Sequence, residues 1–374
     1  MRREIAGLVL LITLLLCGCK ERTWPPSEVS LGDMKIVVWD VKEPHLPGAP
    51  PYSELLSLVV ENYANEHGAI VEVEFKSRQE IENLLLGNHQ GEVPSVVFST
   101  EWPFMGEGTQ DLTAMIKAGD YLEDALSFWV YDGKLMGIPS YIHWLCLAKR
   151  AASDDSPGAA GYFLTAPGFL HSALDYGCMD WAEQDICDYV EWVKDTYGLY
   201  SEPVLDLWER NQISTLYPVT PHLFRWLRLS EKDCEIEMLP MDTPQGEARF
   251  YFSVPGYVIL AGSQEEVECA VELAKLLAAS KGRWAARAVG CIPAHVHDVP
   301  VFDLESGFTR EERVNLVAGL RDSGACVVDW VEFGSRSNIR LAVTPAIERY
   351  LSGSTGRREF EESIRSALKG HTSQ

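Results

Sequence analysis

The sequence predicts an α/β protein made of two lobes, each with a sheet covered by helices. The first observation is a β-α-β-α-β order between Met34 and Ser99, which implies a parallel sheet with helices on its faces. The second is length, because the ~355 residues that follow the N-terminal apolar segment exceed what one hydrophobic core usually holds. A hydrophobic content of 46% supplies enough apolar side chains for both cores.

The first lobe begins with a β-branched run, Lys35 to Asp40, which is typical of a buried strand. Ser53 is predicted to cap the next helix, in which apolar residues recur at helical spacing from Leu55 to Tyr63. The remaining elements of this series are the strands Ile70 to Phe75 and Pro94 to Ser99, with the helix Arg78 to Leu86 between them.

A second α/β series follows the small-residue linker Ala151 to Ala160. Ser263 with Glu266, and Thr309 with Glu312, have the spacing of capping boxes and predict helices reaching Ala279 and Leu320. The other predicted helices are Trp181 to Tyr197, Pro221 to Leu229, Asn338 to Leu351 and Arg357 to Leu368, and the predicted strands are Cys234 to Leu239 and Ala248 to Leu260.

The N-terminus has the pattern of a secretory signal. Two arginines precede the apolar run Ile5 to Leu16, whose length of about 18 Å as a helix is too short for a bilayer core of roughly 30 Å. The ending Leu16-Cys17-Gly18-Cys19 resembles the bacterial lipobox, which implies a signal peptide at 1–18, acylation of Cys19, and a tether at 19–33. A plain signal peptide or an uncleaved anchor are the alternatives.

Charge and cysteine content exclude several function classes. A net charge of −23 repels phosphate backbones and argues against nucleic-acid binding. Seven cysteines remain after Cys19, an odd number without C-x-x-C spacing, so mostly buried free thiols are expected.

His295, His297 and Asp298 lie in a Pro-flanked loop that we interpret as solvated, so no metal or other cofactor is expected. Sequence motifs of hydrolases, phosphate loops and zinc proteases are missing, which favours a protein without enzymatic activity.

Several segments together resemble a known family. Ile36 to Asp40 (IVVWD), Pro94 to Trp102 (PSVVFSTEW) and Tyr131 to Pro139 (YDGKLMGIP) are similar to landmarks of the extracellular solute-binding proteins, family 1, the sugar-type binding lipoproteins of ABC importers. The resemblance continues through Phe252 to Leu260 and Leu341 to Gly353 in the family's order. The chain departs from the pattern between Ala151 and Tyr176.

The resemblance implies a periplasmic-binding-protein-like fold of type II, with two α/β lobes joined by a hinge that the chain crosses several times. Crossings are expected near 142–148, 260–263 and 326–330. Lobe 1 would comprise 34–145 plus 262–325, and lobe 2 would comprise 146–261 plus 326–374.

The candidate ligand-binding residues follow from the rule that ligands bind beyond the carboxyl ends of strands in open α/β sheets. Trp39 as a core residue is as well supported as Trp39 in a ligand platform. Tyr141 and His143 alternate on one face of the presumed hinge strand, with Trp144 on the other face. The full predicted set is Trp39, Asp40, Ser99, Glu101, Trp102, Tyr141, His143, Tyr251, Phe252 and Tyr257.

The function implied by the resemblance is solute capture by lobe closure, with delivery to ABC permease subunits. Aromatic rings and carboxylates suit a sugar or oligosaccharide, since rings stack on C–H faces and carboxylates accept hydroxyl protons. A polyamine also fits an acidic, aromatic cleft. A sensory or interaction lipoprotein that kept the two-lobed fold without transport is the alternative of another class.

Overall fold

The computed structural model describes residues 34–41, 51–85, 91–99, 108–151, 160–162, 183–197, 208–210, 213–230, 235–242, 248–260, 262–305, 308–322 and 342–369. The fold class predicted from the sequence is confirmed within these ranges. Cys19, Glu101 and Trp102 lie outside the described residues, as do the tether and the predicted crossing near 326–330.

The first sheet has five described strands in the order β2-β1-β3-β14-β6. They are β1 (Lys35–Val41), β2 (Ile70–Lys76), β3 (Val96–Ser99), β6 (Ile138–Pro139) and β14 (Gly256–Ile259). β1 is parallel to both β2 and β3, as the β-α-β-α-β order predicts. β14 returns from later in the chain and lies antiparallel between β3 and β6.

The second sheet is built on one long strand, β7 (Tyr141–Arg150). Its antiparallel partners are β10 (Ile236–Leu239), β9 (Thr215–Val219), β13 (Tyr251–Ser253) and β15 (Ile292–Pro293), and β8 (Ala160–Tyr162) is parallel to β9. β6 belongs to the first sheet and β7 starts two residues after it, so the chain passes from the first sheet to the second at Ser140. Two short hairpins join β4 (Val130–Tyr131) to β5 (Lys134–Leu135) and β11 (Met241–Asp242) to β12 (Ala248–Arg249).

The predicted helices are present in the predicted order. The described helices are α1 (Tyr52–His67), α2 (Arg78–Leu85), α3 (Glu123–Ser127), α4 (Glu183–Tyr197), α5 (Pro221–Ser230), α6 (Gln264–Ala288), α7 (Val299–Glu305), α8 (Arg310–Asp322), α9 (342–351) and α10 (Arg357–Lys369). Of these, α3 and α7 were not predicted. Both capping boxes are present: Ser263 and Glu266 bond reciprocally at α6, and Thr309 and Glu312 do so before α8. α6 runs nine residues beyond the predicted end, because its buried face continues through Trp284 and Ala288.

Two local predictions are wrong. α1 begins at Tyr52 with Pro51 as its N-cap residue and no side-chain cap, because Tyr52 starts the helix and turns its hydroxyl into the core. The predicted strand Ala248 to Leu260 is three strands, β12, β13 and β14. β13 pairs with β7 whereas β14 pairs with β3, so Gly256–Ile259 belong to the first sheet rather than to the predicted second lobe.

Trp129 fixes the junction where β6 and β14 meet. Its ring is fully buried, and its indole Nε1 donates a hydrogen bond to the Val254 carbonyl at 3.0 Å. Gly256 lies directly against this ring and the Ile138 carbonyl, and a Cβ there would overlap both. The return of the chain into the first sheet therefore depends on a residue without a side chain at this point.

Candidate functional site

The described residues among those predicted at the carboxyl ends of β1 and β3 face the interior of the structure. Trp39 is 4% exposed and Ser99 is 2% exposed. The Lys76 ammonium lies 4.5 Å from the centroid of the Trp39 ring, which places this tryptophan beside β2. The two side chains thus contribute to the core around the first sheet.

Asp40 is fully buried and forms a polar cluster with residues from three other elements. Its Oδ2 accepts a hydrogen bond from the Tyr257 hydroxyl at 2.6 Å and lies 3.4 Å from the Tyr52 hydroxyl. Its Oδ1 pairs with the Lys281 ammonium and also accepts the Val41 backbone N–H at 2.7 Å. Both carboxylate oxygens are consequently occupied by groups of the protein itself.

Tyr257 completes this cluster from β14. Its hydroxyl is 3.0 Å from that of Tyr52, and its ring lies 5.0 Å from the ring of Phe98 between centroids. Burial raises the pKa of Tyr257 well above its usual range, and the negative charge of Asp40 adds to the effect. The hydroxyl therefore stays protonated and serves as a hydrogen-bond donor to Asp40.

Phe252 and Tyr251 lie on β13. Phe252 is 1% exposed, pairs with Trp144 across the strands and packs near Phe250, with ring centroids 6.3 Å apart. The Tyr251 backbone pairs with that of Leu145. β13 thus carries Phe252 into the core.

Among the predicted residues whose side chains the structure describes, Tyr141 and His143 keep partial exposure. The two alternate with the fully buried Ile142 and Trp144, which confirms the predicted alternation of faces along β7. Tyr141 lies opposite Pro293 of β15, and His143 lies opposite Ser253 of β13. An aromatic ring and an imidazole that are partly exposed at the start of β7, next to the point where the chain changes sheets, can stack on a solute and hydrogen-bond to it.

Tyr52 and Lys281 were missed by reasoning from the sequence. Lys281 occupies the apolar stripe of α6, four residues after Leu277 and three after Ala278, where a charged residue contradicts the pattern. A lysine in such a stripe requires a buried anionic partner. That signal could have identified Lys281, although not Asp40 as its partner.

The described residues contain no cluster of three or more His, Cys, Asp or Glu side chains able to hold a metal ion. The interpretation of the loop of His295, His297 and Asp298 as solvated is wrong for His295 and Asp298: Asp298 is 7% exposed, and its Oδ2 lies 3.6 Å from the half-buried His295 Nδ1. Cys146 and Cys269 are buried free thiols, as expected for them. Of the helices that the structure describes, none combines the length and the apolar character needed to cross a bilayer.

Comparison with known proteins places the fold. No protein family model and no curated protein sequence matches the chain. Solved structures do match: T. maritima MalE3 bound to maltose shares 14% identity at a TM-score of 0.60, covering 90% of this chain and 99% of its own. The maltose/maltodextrin-binding domain MalE from Bdellovibrio bacteriovorus, bound to maltotriose, has 14% identity and a TM-score of 0.60, with coverages of 91% and 100%.

A third match is the ABC substrate-binding protein Lmo0181 from Listeria monocytogenes in complex with cycloalternan. It has 12% identity and a TM-score of 0.55, and the alignment covers 91% of this chain and 98% of that protein. At these identities the likeness establishes the fold, which is that of type II periplasmic binding proteins.

Proposed function

We propose that this chain is the lipid-anchored, non-enzymatic solute-binding component of an ABC importer, and that it captures a sugar or oligosaccharide by closure of its two lobes. The observation that carries the proposal is the fold. Nearly the whole chain superposes on nearly the whole of proteins whose structures contain maltose, maltotriose or cycloalternan. Ligand capture then follows from a higher affinity of the closed state for the solute.

Tyr141 and His143 are the described residues that we assign to ligand contact. They are partly exposed at the start of β7, next to the point where the chain changes sheets, so a solute held between the lobes would meet both side chains. Glu101, Trp102 and Tyr251 stay predicted contacts. We leave Trp39, Asp40, Ser99, Phe252 and Tyr257 out of the proposed ligand surface, because burial gives their side chains almost no surface to offer.

Thermal unfolding with and without candidate ligands tests the ligand class. Maltose, maltotriose and cycloalternan are compared with spermidine and putrescine, since a ligand at 100 times its Kd adds about 2.7 kcal/mol of stability. We expect stabilisation by an oligosaccharide. Stabilisation by spermidine or putrescine alone would overturn the sugar assignment in favour of the polyamine alternative.

Variants at the strand locate the site. Tyr141→Ala and His143→Ala are each expected to weaken binding of the stabilising sugar by about tenfold or more, from the loss of ring stacking and hydrogen bonding. His67→Ala is the matched control, because His67 ends α1 near the opposite edge of the first sheet, just before β2. Unchanged affinity in both strand variants would remove Tyr141 and His143 from the site.

The lipid anchor and the importer partners are separate parts of the proposal. Replacement of Cys19 by Ser should release an unacylated protein from the membrane fraction of expressing bacteria. Co-purification of the acylated chain with two permease subunits would support transport. Co-purification with a sensor kinase in their place would support the sensory alternative.

A further inference from the structure

The lysine of α6 is in an environment that few charged side chains occupy. Both Lys281 and Asp40 have side chains that are 0% exposed. The Lys281 ammonium lies 3.4 Å from the centroid of the Phe98 ring and 4.4 Å from that of Tyr52, so aromatic faces complete its surroundings. A buried ammonium in such a place depends on its carboxylate partner, because an unpaired charge there would be strongly destabilising.

The residue that follows Lys281 is in contact with the start of β7. A Cβ built on Gly282 would overlap the carbonyl oxygen of Ser140, so helix and strand approach each other backbone to backbone at this point. Ser140 is held from two further directions: its N–H donates to the Pro255 carbonyl at 2.8 Å, and its carbonyl accepts from the Ala294 N–H at 3.0 Å. A change in how closely α6 packs would therefore displace the backbone of Ser140.

Ser140 immediately precedes the start of β7, where two residues are partly exposed. Tyr141 follows it directly, and His143 lies two residues further on the same face. A shift of α6 toward or away from the first sheet would be transmitted through Gly282 to Ser140, and from there to the start of β7. Lys281, the residue before Gly282, ties this part of α6 to Asp40 of β1.

We propose that Asp40 and Lys281 are positioning residues that hold α6 against the start of β7 and thereby set the orientation of Tyr141 and His143, without contacting the ligand. Asp40 thus acts on ligand binding from inside the first sheet, whereas its position at a strand end suggested direct contact. Only the ligand readout of this proposal rests on the proposed function; the effect on β7 does not.

A double-mutant cycle tests the pair. Asp40→Leu and Lys281→Met each leave the other charge buried and alone, and each is expected to lower the Tm by roughly 5–15 °C. The double variant replaces the pair by apolar side chains of similar volume and should recover most of that loss. Single variants that unfold no earlier than wild type would overturn the proposal.

Hydrogen exchange reads out the transmission to β7 without any ligand. Backbone amides in peptides covering 139–145 should exchange about tenfold faster in each single variant and return toward the wild-type rate in the double variant. Lys275→Met is the matched control, because Lys275 is on the same helix and its ammonium bonds to the Met115 carbonyl at 2.8 Å rather than to a carboxylate. If Asp40→Leu does not fold, Asp40→Asn replaces it. Destabilised single variants with unchanged exchange at 139–145 would refute the proposed transmission.

Binding of maltotriose separates positioning from direct contact. A positioning role predicts that the double variant binds within about threefold of wild type, since restored packing restores the strand. Direct contact by Asp40 predicts that the double variant binds as weakly as the Asp40 single variant, and this result would overturn the inference. If the wild-type chain binds no maltotriose, only the proposed ligand is contradicted. The hydrogen-exchange result then decides whether Asp40 and Lys281 position the start of β7.

Discussion

Replacing Tyr257 by Phe removes one hydroxyl from the interior of the first sheet and should destabilise it more than the same change at Tyr63. Tyr257 donates to the Asp40 carboxylate at 2.6 Å, whereas Tyr63 donates to the neutral Cys269 carbonyl at 3.0 Å. Both side chains are almost completely buried, so the two substitutions differ in the charge of the acceptor and in the additional contact of Tyr257 with the Tyr52 hydroxyl at 3.0 Å. This makes Tyr63→Phe a matched control.

The expected magnitudes follow from the acceptors. A hydrogen bond to a charged group contributes about 1.5–3 kcal/mol and one to a neutral group about 0.5–1.5 kcal/mol. In Tyr257→Phe the Tyr52 hydroxyl, 3.4 Å from the same carboxylate oxygen, offers only a weak replacement. We therefore expect a loss of about 2 kcal/mol for Tyr257→Phe and about 1 kcal/mol for Tyr63→Phe.

Urea unfolding followed by circular dichroism measures both free energies of unfolding. Two sheets can unfold in separate steps, so the comparison uses the same transition for both variants, with unchanged m-values. A Tyr63→Phe variant that loses as much stability as Tyr257→Phe, or more, would refute the assignment of an ionised Asp40 as the acceptor.

Three further predictions concern other groups. Burial lowers the pKa of His295 despite the nearby charge of Asp298, so the stability that the neutral imidazole contributes is complete above the ordinary pKa of 6.5 and is lost as the pH falls below it. His295→Gln should therefore reduce the drop in Tm between about pH 7.5 and about pH 5.5. An unchanged drop in Tm would contradict the lowered pKa. Burial raises the pKa of the Cys269 thiol to about 11, so this thiol should react slowly in the folded protein. Cys269→Ala should leave the number of thiols that Ellman's reagent labels in the native protein unchanged and lower the number labelled in urea by one. A lower number in the native protein would contradict the burial of Cys269. Arg228 pairs with Glu312 in a partly buried site, whereas Arg357 pairs with Glu361 on the surface. Arg228→Met should therefore lower the free energy of unfolding by about 1–3 kcal/mol and Arg357→Met by less than about 0.5 kcal/mol. Equal losses of stability in thermal unfolding would show that burial adds nothing to the pair of Arg228 and Glu312.

Most features determined by residues close together in sequence were predictable, although the cap at Ser53 was not, and several features determined by distant residues could not be predicted. The capping box joins Ser263 to Glu266, three positions apart, and the structure contains it as predicted. The division of the segment from Ala248 to Leu260 could not be foreseen, because it depends on which strand each half meets: β13 meets β7 and β14 meets β3. The position of Asp40 at a strand end was predicted, but its inward orientation depends on Lys281, 241 residues away.

The burial of Asp40 bears on the choice between a sugar and a polyamine as the ligand. The polyamine alternative needs carboxylates that face the cleft, and Asp40 was one of the two predicted there, with Glu101. In the structure the charge of Asp40 is balanced internally by Lys281, so Asp40 offers a cation neither surface nor net charge. Tyr141 and His143, the predicted contacts that stay partly exposed at the start of β7, instead suit a neutral solute with hydroxyl groups. The net charge of the chain, −23, is therefore no argument for a cationic ligand unless Glu101 supplies the missing carboxylate.

The substitution Glu101→Gln tests the preference for a sugar over a polyamine. If the chain binds spermidine and Glu101→Gln abolishes that binding, the preference is reversed. If the chain is stabilised by a sugar and the stabilisation survives Glu101→Gln, the preference is strengthened.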